Sequence, residues 1–125
     1  MSPSMRTRAA VFAGILLMTS AAAAGEANPR HGGRLVDAGA YHVELVAKAT
    51  AVDVYVSDHD DRPVALAGFK GTAILVVDGK PARIALEPAG TNRLSGASAI
   101  ALTGKVKGAV RITTPGGTTV SASFN

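Results

Sequence analysis

From residue 31 to the end of the chain, apolar and polar residues alternate in short runs, and turn-forming Gly, Pro, Asp or Asn breaks them roughly every 8 to 12 residues. Successive side chains of a strand point to opposite faces, so this pattern writes half-buried β-strands. Tyr41, Val43, Leu45 and Ala47 fall on one face, with His42, Glu44 and Lys48 on the other. Val52, Val54 and Val56 repeat the pattern against Asp53, Tyr55 and Ser57. The polar cluster from Ser57 to Pro63 then reads as a turn, and a second arm over residues 63–67 returns from it. Residues 72–77 are continuously apolar, as in a strand buried on both faces. Asp78-Gly79 is the strongest hairpin signal in the chain and leads into Ala82, Ile84 and Leu86. Further strands are predicted over residues 98–103, 105–113 and 118–124, with residues 87–92 as a loop.

No helical period follows residue 24. The expected fold is therefore all-β, an immunoglobulin-like two-sheet β-sandwich of about seven or eight antiparallel strands. Without cysteine or tryptophan, the chain lacks the inter-sheet disulfide and core indole of antibody domains.

The first 24 residues read differently. Arg6 and Arg8 precede an apolar run over residues 9–18, and small residues close it at Ala21-Ala22-Ala23-Ala24. This is the layout of a secretory signal peptide, with cleavage expected after Ala24 and one domain over residues 25–125. The apolar run is about half the roughly 20 residues a spanning helix needs, so no transmembrane anchor is expected after cleavage. Removal takes away two arginines and no acid, lowering the net charge from +4 to +2. The expected location is the periplasm, or outside the cell.

Composition limits the chemistry. All three Met lie at positions 1, 5 and 18 and there is no Cys, so the exported part offers no soft ligand. Its basic residues are scattered among apolar positions without stacking aromatics, which gives nucleic-acid binding no support. Ser57, Asp58 and His59 are consecutive and cannot serve as nucleophile, orienting acid and base; there is no G-x-S-x-G elbow, and an enzyme is not expected. The Asp58-His59-Asp60-Asp61 cluster lacks the alternating ligands of a calcium loop.

What remains is His31, His42 and His59, with Glu44. His42 and Glu44 are two apart on a strand, so they share one face, expected to be exposed, and could share an ion. A neighbouring strand could bring His31 or His59 alongside, and imidazole with carboxylate suits Cu(II), Ni(II) or Zn(II). The same residues also fit a solvated strand face, a solubilising Asp-rich turn and a flexible start to the first strand.

The segments His31-Gly32-Gly33, His42-Val43-Glu44-Leu45-Val46 and Tyr55-Val56-Ser57-Asp58-His59-Asp60 resemble those of a group of small periplasmic bacterial proteins. The opening third is also similar to periplasmic domains associated with heavy-metal efflux. That second resemblance implies metal handling, placed on His31, His42, Glu44 and His59, and a partner such as an efflux component. The expectation is thus a non-enzymatic metal buffer or efflux accessory. The competing one is a structural or interaction module of the envelope with no metal site.

Overall fold

A computed structural model describes residues 28–103 and 106–125. The signal peptide expected over residues 1–24 and its cleavage point lie outside the described residues. Seven strands are present: β1 (Arg34–Ala38), β2 (Tyr41–Asp58), β3 (Lys70–Val77), β4 (Lys80–Pro88), β5 (Arg93–Leu102), β6 (Lys107–Thr113) and β7 (Thr119–Phe124). All pair antiparallel, in the order β1-β2-β5-β4-β3-β6-β7. The all-β expectation holds. In place of two separately bonded sheets, hydrogen bonding runs through one sheet that curls until its first and last strands meet, close to a barrel. No helix among the described residues is long and apolar enough to cross a membrane.

The core is the inward set of the alternating pattern: Val43, Leu45, Val52, Val54, Val56, Leu75, Ile84, Leu94, Val110, Ile112 and Phe124 are almost completely buried. Strand β3 alternates, with Ala73, Leu75 and Val77 buried and Val76 37% exposed. The expectation of burial on both faces is corrected there, because the outer side of β3 has no covering layer. Residues 63–67 form no regular strand; they join β2 through a single bridge, Ser57 to Pro63. Asp78 and Gly79 both have positive φ, 52° and 78°, the pairing a tight type I′ turn requires, and Val77 lies opposite Lys80 as expected.

Two irregularities shape the outer surface and the closure of the sheet. Strand β2 is 18 residues long, and its inward set changes from odd numbers (Val43, Leu45) to even ones (Val52, Val54, Val56). The change falls at a bulge where Ala49 has φ 56° and the pairing with β5 slips between Ala49 and Ala51. Consequently His42 and Glu44 before the bulge lie on the same outer surface as Tyr55, Ser57 and His59 after it. The second irregularity is the seam between β1 and β7. Arg34 spans it, donating to the carbonyls of Val106 and Asn125, with its guanidinium 5.7 Å from the Phe124 ring centroid.

Candidate metal centre

Drawn out straight, the 17 residue-to-residue steps from His42 to His59 would span about 56 Å. In the fold, His42 Nε2 and His59 Nδ1 are 2.7 Å apart. Strand β2 thus bends back on itself, and the turn over residues 58–62 closes over its own beginning. That turn is held by Asp58, whose Oδ1 accepts from the amides of Asp60 and Arg62 at 2.9 Å. The Arg62 amide is foremost in holding the Asp58 carboxyl below its usual range.

The third member comes from β1. Asp37 lies directly opposite His42 in the β1–β2 register, and its Oδ1 is 3.4 Å from His42 Nε2. One donor atom from each of Asp37, His42 and His59 lies within 4.8 Å of the others. His42 is buried, while Asp37 and His59 are exposed, so the cluster has a dry back and an open front.

With both rings neutral, the hydrogen bonds assign one tautomer to each. His59 Nε2 is 3.1 Å from the carbonyl oxygen of Gly39, to which it can only donate. His59 Nδ1 therefore carries a lone pair toward the cluster, and His42 Nε2–H donates to it. That leaves His42 Nδ1 as a bare acceptor. Among the described residues it is the buried side-chain nitrogen or oxygen without a hydrogen-bond partner, and Asp61 Oδ1 stands 3.8 Å away.

Glu44 and His31 meet elsewhere. Glu44 Oε1 accepts from the Arg30 amide at 3.1 Å and from His31 Nδ1 at 2.9 Å; Oε2 accepts from the amides of His31 and Gly33, both at 2.9 Å. Burial pushes the Glu44 carboxyl up, but the His31 bond and the Gly33, His31 and Arg30 amides outweigh it and hold the group below the ordinary value. The His31 ring stacks on Tyr55 with centroids 3.5 Å apart and planes 5° from parallel. Together these contacts clamp residues 30–33 across the outer face of β2.

The exposed face expected for His42 and Glu44 is therefore corrected: both are under 5% exposed, because the clamped segment covers Glu44 and the 58–62 turn covers His42. Of the four residues singled out from the sequence, the fold joins His42 to His59 in one cluster and His31 to Glu44 in another. Asp37 and Asp61 were missed. Reading residues 34–38 as a strand, with Gly39-Ala40 as a two-residue turn, would have placed Asp37 opposite His42.

The cluster can do one thing well in chemical terms. Two imidazoles and a carboxylate form a borderline nitrogen–oxygen donor set suited to divalent first-row metals. Zn–N bonds of about 2.0 to 2.1 Å in a tetrahedron separate donors by about 3.3 Å. Asp37 and His42 already stand near that spacing, whereas the two rings must part by roughly 0.6 Å as an ion replaces the proton they share.

Comparison with family models, with curated proteins and with solved structures finds no match.

Proposed function

We propose that this chain is an exported, non-enzymatic β-domain that binds one divalent transition metal ion, Cu(II), Ni(II) or Zn(II), as a periplasmic buffer or an accessory to efflux. The observation that supports the reading is the convergence of Asp37, His42 and His59 from β1, β2 and the turn after β2, with a buried imidazole at its back. His59 also supports it. Its outer nitrogen is already committed to the Gly39 carbonyl, the arrangement that orients a metal-bound imidazole. The ligands carry over only in part from the sequence expectation: His42 and His59 are kept, Asp37 is added, and His31 and Glu44 act as the clamp.

Calorimetric titration of the tag-free protein with each of the three ions tests it. A single saturable site is expected. His59→Ala, an exposed change that leaves the core intact, should weaken it at least about ten-fold, since loss of even an outer partner costs that much. His31→Ala should leave affinity unchanged, because that ring is bonded to Glu44 and stacked on Tyr55. Equal losses in the two variants, or no heat with any ion, would overturn the assignment; the second result would favour an interaction module.

A further inference from the structure

The buried nitrogen of His42 that lacks a partner carries an inference about a residue outside the ligand set. It rests on the proposed metal binding. An ion at the cluster needs a lone pair on His42 Nε2, the nitrogen to which the neutral-ring assignment gives the proton shared with His59. Neutral imidazole has one ring proton, so freeing Nε2 moves it to Nδ1. His59 needs no such change, since its Nδ1 lone pair already faces the cluster and its Nε2–H stays on Gly39.

Once protonated, His42 Nδ1 would be a buried donor, and leaving it unpaired would oppose binding. The acceptor 3.8 Å away is Asp61 Oδ1, which a movement of about 1 Å brings to hydrogen-bond distance. Asp61 is held there by the turn. Its amide donates to the Asp58 carbonyl at 3.0 Å, and its backbone takes φ 62°, a left-handed conformation that Asp and Asn tolerate better than other side chains. The other carboxylate oxygen is only 4.0 Å from Arg30 Nη2, an exposed pairing easily given up.

The geometry points to Asp61 as the positioning residue of the metal centre: it accepts the proton that moves across His42 when an ion binds. Without the ion, the same assignment leaves His42 Nδ1 an acceptor without a protein donor, 3.8 Å from the carboxylate. With the ion, a carboxylate–histidine–metal chain is complete, the arrangement that raises imidazole basicity and fixes the ring.

The test reads the proton directly. Two-bond 1H–15N correlation of the 15N-labelled protein should show His42 protonated at Nε2 without metal and at Nδ1 with Zn(II), while His59 keeps Nε2–H in both states. Zn(II) affinity is then measured by chelator competition in four variants. Asp61→Gly, which suits the left-handed backbone but removes the acceptor, and Asp61→Ala should each weaken binding about 10- to 100-fold. Asp61→Asn, whose amide oxygen accepts the same proton, should stay within about three-fold, and Arg30→Ala should match wild type. If wild type binds Zn(II) but His42 keeps its proton on Nε2, or Asp61→Gly binds like wild type, the role of Asp61 is overturned and the metal reading stands. If wild type binds no Zn(II), Cu(II) or Ni(II), the metal reading falls, and the role of Asp61 falls with it.

Discussion

Replacing Glu44 by Ala should destabilise the fold by about 3 kcal/mol, read as a drop in urea midpoint at unchanged slope. The carboxylate accepts four hydrogen bonds, three of them from backbone amides, and burial keeps water from replacing it. Glu44→Gln, of the same shape, should cost about half as much: its oxygen still accepts, but its amide protons now face donors. The same contacts set a pH dependence. The carboxyl is held low in the folded state, so as pH falls the unfolded chain takes up the proton first. Glu44 therefore contributes stability above the ordinary glutamate value of about 4.3, and the contribution is lost as pH drops through the lower folded value. Glu44→Gln should lack this share of the acid sensitivity. An equal acid response in wild type and Glu44→Gln would show that the carboxylate is not the clamp.

Phe124→Ala should cost about 3 to 5 kcal/mol, the range for removing a fully buried aromatic ring. Phe124 is 1% exposed, pairs through its backbone with Gly108, and supplies the surface over which Arg34 lies. Removing the ring opens a cavity beside the seam between β1 and β7, where side-chain bonds from Arg34 stand in for a backbone ladder. Arg34→Ala, by comparison, should cost about 1 to 2 kcal/mol, because, of the two carbonyls it leaves, that of Asn125 is open to solvent. Thermal unfolding of both variants checks the order, and a smaller loss for Phe124→Ala than for Arg34→Ala would show that the seam, not the ring, dominates.

The strands were legible wherever one face is wet. Val52, Val54 and Val56, the Asp78-Gly79 hairpin, and Val110 with Ile112 opposite Lys107 and Arg111 sit as the alternation requires. The sheet arrangement was not legible, because period-2 alternation states which side chains are inward but not whether the inward faces belong to two sheets or to one curled sheet. The candidate centre was half legible. His42 and His59 stand out by type, but their meeting depends on the bend in β2, which no local pattern encodes. His42 and Glu44 read as exposed because polar residues on a strand usually are; here a turn and an N-terminal segment form an added outer layer. Asp37 was hidden in a five-residue strand too short to show alternation clearly.

The bulge at Ala49 bears on which changes of length the chain could accept. Residues 48–51 are all exposed, so substitutions there should be mild. Deleting one residue at the same place is another matter. It would shorten the step from Leu45 to Val52 from seven residues to six, an even number, so an unbroken two-residue alternation would keep both arms facing inward without a bulge. Val43, Leu45, Val52, Val54 and Val56 would all stay in the core, and what would be lost is the local bend that the bulge puts into β2 on the way to His59. The extra residue on this exposed apex thus bends the strand, and its removal should disturb the meeting of His42 and His59 before it disturbs the core.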